Sequence, residues 1–317
     1  MIRKSQLFLA VAALVGMNAA MAACNTTQWG QGGVTAVVGA PIADGPVNSD
    51  ANPAITARYS GKCALRSNAP ANYVQDGLPL AEAAYISRFY VLAANTGEAT
   101  IFNAMADETT DYPVFKITYD ATAAAFKFYG FDSNPAAPVF GTPASIPAVA
   151  NRWYVIETSY ARGAGTTNGT LSIKVNGNRP SSQVLAGAPQ VATLSNMKLM
   201  DAGDGVDFVQ LGWVAGGAGT SVIVDAFESR RSTAIGELRR GDASGNGLCS
   251  SGDITQILLD VNAITLHNEP GLKAGQTDCN ENGTTSAGDA TCISLIVNSD
   301  TLAGGNTIQN CGAPATP

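Results

Sequence analysis

Histidine is almost missing from this chain: of 317 residues only His267 is one. With no second imidazole and no nucleophile motif beside it, a zinc-hydrolase site or a Ser-His-Asp triad has nothing to be built from. Charge is scarce too, at 14% of residues, with 18 Lys and Arg against 25 Asp and Glu, for a net charge of −7. That balance excludes nucleic acid and anionic membrane as natural partners, because both repel an acidic surface. No stretch reaches the roughly 18 consecutive apolar residues that a membrane-crossing helix needs, so membrane insertion is not expected.

What the sequence does hold begins with MIRKSQLFLAVAALVGMNAAMAAC, where Arg3 and Lys4 precede an apolar run from Leu7 to Val15 and a small-residue site at Ala20-Met21-Ala22. This layout predicts a secretory signal peptide over residues 1–22 and therefore an exported, extracellular protein. A lipobox reading of Met21-Ala22-Ala23-Cys24 is the rival, a poorer match that would leave five cysteines instead of six. Loss of Arg3 and Lys4 would take the net charge from −7 to −9. Six cysteines, Cys24, Cys63, Cys249, Cys279, Cys292 and Cys311, in an exported chain read as three disulfides. Pairing within domains would join Cys24 to Cys63 and leave three arrangements open for the other four.

The texture of the chain changes near residue 238, which predicts a sandwich domain over 23–236 and a small terminal module over 237–317. Before that point, segments such as AYISRFYVL (84–92), VFKITYD (114–120), RWYVIETSYA (152–161) and TSVIVDAF (220–227) are short and rich in aromatic and β-branched residues, with Gly, Asn, Asp and Pro between them. They predict strands. Trp153, Val155 and Glu157 alternate with Tyr154, Ile156 and Thr158, as a strand with two distinct faces should. The fold class expected is mainly β, an antiparallel jelly-roll sandwich followed by a small α-helical, EF-hand-like calcium module.

The order Arg-Trp-Tyr-Val-Ile (152–156), Gly-Thr-Leu-Ser-Ile-Lys-Val-Asn-Gly (169–177), Val-Gln-Leu-Gly (209–212) and Ile-Val-Asp-Ala-Phe-Glu-Ser-Arg (223–230) resembles laminin-G-like and concanavalin-A-like lectin/glucanase sandwiches. The resemblance implies a core role for Trp153, a turn at Asn176-Gly177, and a last strand closed by Asp225 and Phe227. Hydrolases of that kind often carry a Glu-x-Asp-x-x-Glu strand, and none is written here. Asp107, Glu108 and Asp111 form a polar turn instead. The group Asp201, Asp204 and Asp207 reads as a turn that could at most hold a further metal ion, and Trp29, Tyr85 and Tyr160 as aromatics of either core or sugar-stacking type.

The most informative feature is a duplication. Residues 242–253 read DASGNGLCSSGD, and 36 positions on (278 − 242) residues 278–289 read DCNENGTTSAGD. Numbered from the first aspartate, oxygen donors fall at positions 1, 3, 5, 7, 9 and 12 in both, with glycine at position 6. In the first loop these are Asp242, Ser244, Asn246, the Leu248 carbonyl, Ser250 and Asp253; in the second, Asp278, Asn280, Asn282, the Thr284 carbonyl, Ser286 and Asp289. A hard cation takes six to eight oxygens, and a tight loop turning at glycine supplies them from alternate residues, so the pattern predicts two bound Ca²⁺ ions. Each loop runs into an apolar stripe of helical spacing: Ile254, Ile257, Leu258 and Val261, then Ile293, Ile296 and Val297.

This spacing, with Asp at position 12 and no incoming helix, resembles a type I dockerin, which implies docking onto a scaffold cohesin. Cellulosomal dockerins carry Lys or Arg around positions 18 and 19, where this chain has Leu259 and Asp260, and Leu295 and Ile296. The implied partner is therefore a cohesin-like protein or a second copy, alongside a carbohydrate or extracellular protein for the sandwich. The function expected is non-catalytic recognition, the alternatives being a polysaccharide hydrolase or a self-assembling surface subunit.

Overall fold

The computed structural model describes residues 35–38, 42–44, 64–77, 79–106, 112–132, 141–164, 167–179, 189–199, 204–237, 241–243, 250–261, 279 and 286–302. The signal peptide at 1–22, His267, Trp29, Asp107, Glu108, Asp111 and Asp201 lie outside them. Twelve strands come first: β1 (Thr35–Val38), β2 (Ile42–Asp44), β3 (Ala64–Ser67), β4 (Asn72–Asp76), β5 (Ala84–Ala106), β6 (Tyr112–Asp120), β7 (Ala125–Gly130), β8 (Ala144–Pro147), β9 (Trp153–Ala161), β10 (Gly169–Arg179), β11 (Gln190–Met197) and β12 (Phe208–Arg230). Two helices follow, α1 (Ser251–Val261) and α2 (Ala287–Leu302). No helix among the described residues is long and apolar enough to cross a membrane.

The strands form the antiparallel sandwich that the alternating pattern predicts, but two of its members are far longer than the segments that announce them. Segment 84–92 runs on unbroken to Ala106 as the 23-residue β5, and 220–227 is the trailing part of the 23-residue β12, which starts at Phe208. These two pair along their length and pass from one layer to the other. In the first layer the order is β1-β4-β12-β5-β6-β7-β8, built on the leading part of β12 and the trailing part of β5. In the second, β2, β3, the trailing part of β12, the leading part of β5, β9, β10 and β11 follow one another.

The crossing point is written in glycine. Along β12 the register with β5 shifts between Leu211 and Ala215, between Gly216 and Ala218, and between Gly219 and Val222. Gly216 and Gly217 both stand at φ +67° and Gly219 at +124°. A Cβ on Gly219 would lie 2.7 Å from the Asn95 Cα, so only glycine lets the two ribbons bend while in contact. Asn95 ties the corner from inside, its Nδ2 donating to the Gly97 and Tyr119 carbonyls.

Between the layers lies an aromatic core. Phe89 stacks on Phe102 at 5.4 Å between centroids, and Phe102 on Phe115 at 5.7 Å, so the two parts of the bent β5 pack against each other. Phe115 reaches Tyr160 of the opposite layer at 6.0 Å. Tyr85 and Tyr160, at 0% and 1% exposure, belong to this core and cannot stack on a sugar. Burial drives both phenols well above the ordinary tyrosine range.

The second layer is buried on its outer face as well. Trp153, Tyr90, Leu92, Val155, Ile223 and Ala64 make a separate apolar cluster there, so both faces of β9 are interior and Trp153 has the predicted core role. Beside the cluster, Arg88 pairs with Glu228 at 2.9 Å, and Glu157 accepts hydrogen bonds from the backbone N–H groups of Ile235 and Gly236. Asn176 donates to Glu237 at 2.9 Å. The chain leaving β12 is thus fastened across the sheet. Asn176-Gly177 is not a turn: both residues lie within β10, opposite Val155 and Tyr154, where the register shifts after Gly177. Gly177 has φ +142°, and a Cβ on it would meet the Trp153 carbonyl oxygen at 2.5 Å. The Asn-Gly pair supplies a bulge instead of a reversal.

Candidate functional site

The terminal helices start with the same hydrogen bonds, made by Ser, Gly and Asp at matching positions. In the first repeat Ser250 stands at the N-cap; its Oγ accepts from the Gly252 N–H at 3.2 Å, while Asp253 Oδ2 accepts from the Ser250 N–H at 2.8 Å. In the second, Ser286 Oγ accepts from the Gly288 N–H at 3.2 Å, and Asp289 Oδ2 from the Ser286 N–H at 2.7 Å. Both serine hydroxyls lie 3.1 Å from the same carboxylate oxygen. This reciprocal arrangement is a capping box with Asp as its distal member, and the positive end of each helix dipole favours the carboxylate.

Loop positions 9 and 12 are therefore superimposable in their bonding. Asp253 and Asp289 are both fully buried and Asp242, at position 1, is 2% exposed. Ser250 and Ser286 are half-buried. The other seven predicted ligands, Ser244, Asn246, Leu248, Asp278, Asn280, Asn282 and Thr284, lie outside the described residues. Among the described residues no three His, Cys, Asp or Glu side chains converge on one point.

A small core joins the two halves. Ala243, Ile257, Cys279, Ala290, Ile293 and Ile296 are buried together, with Ile254, Cys292 and Val297 at the margin. The apolar stripe of α2 is used as its spacing predicts, but Leu258 and Val261 of α1 are 42% and 39% exposed. Of the three pairings left open for the late cysteines, the structure adopts one that joins Cys279 to Cys292, with Cα atoms 5.9 Å apart. Cys24, Cys63, Cys249 and Cys311 lie outside the described residues.

A second feature sits on the sandwich. On the outer face of the first layer, Gln75, Gln210, Asn103, Lys116 and Tyr129 stand directly opposite one another on five adjacent strands, a row about 19 Å long at the usual strand spacing. Asn103 Nδ2 donates to Gln210 Oε1 at 3.1 Å, and Gln210 Nε2 donates to Gln75 Oε1 at 3.2 Å and to the Tyr73 hydroxyl at 3.3 Å. The Lys116 ammonium lies over the Tyr129 ring, 4.9 Å from its centroid. Partial burial holds Lys116 below the ordinary lysine range. Five half-buried polar side chains are thereby lined up across the face.

Alongside the row lies a carboxylate pair. Lys127 contacts Asp120 at 2.6 Å and Glu98 at 3.3 Å. The Lys127 hydrogen bond, with the backbone N–H groups of Ala123 and Thr122, holds Asp120 below its usual range. For Glu98 partial burial pushes upward, but hydrogen bonds from Tyr129, Thr118 and Lys127 outweigh it and leave the carboxyl low. Tyr129 is pushed up to about 12 by burial and by its bond to Glu98. Neither carboxyl has the raised pKa of a general acid.

The aspartates at 204 and 207 serve the fold. Tyr112 donates to Asp204 Oδ2, Arg162 donates to the Asp204 carbonyl at 2.7 Å, and Asp207 Oδ1 accepts from the Ala81 N–H at 2.7 Å.

No family model matches the sequence, and no curated protein does. Among solved structures the chain is similar to the galectin LEC-6 of Caenorhabditis elegans, at 15% identity and a TM-score of 0.30 over 50% of this chain and 95% of that one. It is similar to alginate lyase A1-II′, a member of polysaccharide lyase family-7, at 10% identity and a TM-score of 0.36 over 54% of this chain and 80% of that one. A mutant Trypanosoma rangeli sialidase displaying trans-sialidase activity is matched at 16% identity and a TM-score of 0.34 over 55% of this chain, which spans only 26% of the sialidase.

Proposed function

We propose that this is a secreted, non-catalytic calcium-binding protein whose sandwich recognises a carbohydrate or an extracellular protein surface and whose dockerin-like terminal module, with two Ca²⁺ ions, docks or assembles it. The observation that carries the reading is the identity of the two helix starts: the same Ser, Gly and Asp make the same bonds twice, each around a fully buried carboxylate. Turn-forming residues repeated by chance would not reproduce a bonding pattern 36 positions away.

The cap N–H groups and the helix dipoles favour the buried Asp253 and Asp289 carboxylates, and further positive charge beside them would favour them more. Bound Ca²⁺ would supply that charge. The donors are oxygen throughout, carboxylate, hydroxyl, amide and carbonyl, which suits a hard cation and no soft one. The twelve loop residues named above would hold the ions. The capping boxes orient Asp253 and Asp289, and the helix starts at Ser251 and Ala287 fix where those carboxylates stand.

On the sandwich, the row of amides, phenols and one ammonium offers donors and acceptors matched to sugar hydroxyls, with Tyr73 and Tyr129 as ring surfaces. The rival reading, a glycoside hydrolase, needs one carboxylic acid that keeps its proton at neutral pH. Hydrogen bonds from Tyr129, Thr118 and Lys127 hold Glu98 low and Lys127 holds Asp120 low, the opposite direction, which supports recognition without turnover.

The test is titration calorimetry of the full chain with Ca²⁺, together with a glycan array run in Ca²⁺ and in EDTA. We expect two ions bound, none in the Asp242→Ala, Asp278→Ala double variant, and an intact sandwich in both. Glycan capture without released reducing ends is the expected array result, weakened by Gln210→Ala. Unchanged metal stoichiometry in the double variant would sink the calcium assignment, and released reducing sugar would sink the non-catalytic one.

A further inference from the structure

We infer that the Cys279–Cys292 bridge makes the two calcium loops unequal: the second has less freedom to lose when it takes up metal, whereas the first relies on the ion to order it. The inference rests on the calcium reading above. The two cysteines are 13 residues apart in sequence, and the ring they close contains positions 3, 5, 7, 9 and 12 of the second loop: Asn280, Asn282, Thr284, Ser286 and Asp289. Five of the six ligand positions therefore sit inside one short covalent ring, and the sixth, Asp278, adjoins it.

The ring is anchored at both ends. Cys279 is fully buried in the small core with Ile257, Ile293 and Ile296, and Cys292 lies at its margin on α2. Loop entry and helix are thus joined by a bond that needs no metal.

The first repeat has no counterpart. The residue 36 positions before Cys279 is Ala243, which fills the same core at 1% exposure, and the one before Cys292 is Gln256. Nor can Cys249 substitute. With Cys279 and Cys292 joined to each other, its nearest available partner in sequence is Cys311, 62 residues away (311 − 249), and that ring would not enclose the first loop. A short ring removes more of the freedom that matters here, the relative placing of ligands, than a long ring that merely shortens the chain.

Because the cap hydrogen bonds are the same in both repeats, the amides of Gly252 and Gly288 are matched reporters. In the full chain in EDTA, hydrogen exchange at Gly288 should be at least about tenfold slower than at Gly252, on the scale that closing a ring of this size allows. The Cys279→Ser, Cys292→Ser variant should erase the difference and weaken one of the two calorimetric calcium sites by a similar factor. Should that variant lose its terminal fold, Ala243→Cys with Gln256→Cys provides the converse test: a matching bridge in the first repeat should slow exchange at Gly252 towards the Gly288 value. Equal exchange at the two glycines in EDTA, or an added bridge that forms and changes nothing, overturns the inference. A chain that binds no calcium while keeping the exchange difference would overturn the calcium reading alone.

Discussion

The two parts of this molecule reach stability by different routes. The sandwich has two layers, a continuous aromatic core from Phe89 through Phe102 and Phe115 to Tyr160, and a second apolar cluster outside the inner sheet. Among the described residues, the apolar cluster of the terminal module has six buried members, two of them alanine and one half of a disulfide. A module of roughly 80 residues gains little margin from apolar burial alone over the entropy of ordering its chain. What adds to burial among the described residues is local: two capping boxes, the Cys279–Cys292 bridge and, in our reading, two ions. A large core tolerates irregular edges, whereas a small one depends on each staple.

That contrast can be broken at several points. The largest effect should come from Phe102→Ala, which empties the centre of the aromatic stack and should cost about 3–5 kcal/mol. Denaturant unfolding followed by tryptophan fluorescence would show it, and loss of the α1 and α2 helical signal in the same transition would mean that the two parts are one cooperative unit. Ile293→Ala should cost about 2–4 kcal/mol in the module, seen as an earlier loss of helical circular dichroism with the sandwich transition unmoved. Ser286→Ala removes one cap and should cost about 1 kcal/mol, and Ser250→Ala about the same. A loss at Ser286 no greater than that of an exposed control such as Thr291→Ala would argue against the cap assignment.

The smallest effect concerns pH. Asp120 is held below its ordinary value by Lys127, so the folded state binds fewer protons than the unfolded one near that range. The stability this contributes is present above about pH 4 and falls as pH drops through the folded-state value. Asp120→Asn should flatten the fall in sandwich stability between about pH 5 and 3, and an unchanged slope would assign the acid sensitivity elsewhere.

How much of this was readable in the sequence follows from the range of the interactions. Strands with an alternating pattern, β6, β9 and β10 among them, announce themselves because a half-buried pleat imposes a period of two. β11 does not, since it is mostly exposed, and the short β3, β4 and β8 carry too few residues to show a period. The joins within β5 and β12 were hidden because Gly97 and Gly216 to Gly219 read as turn residues, and only contact between the two ribbons shows that they bend a continuous strand. The duplicated loops were legible because duplication compares the sequence with itself. The row from Gln75 to Tyr129 was not, because its members lie far apart in the chain and meet only through register. The choice of Cys279–Cys292 likewise needed the packing of α2.

One consequence follows from β12. It lies in the middle of both layers, bonded to β5 on one side and to β4 and β3 on the other, and the chain beyond it is strapped down by Glu157 and Asn176. Tension applied to the carboxyl-terminal module must first strip that strap and then arrives lengthwise along the strand, where many rungs share the load in shear instead of opening one by one. A pull on that end of the chain is thus carried along the grain of the sandwich instead of across it.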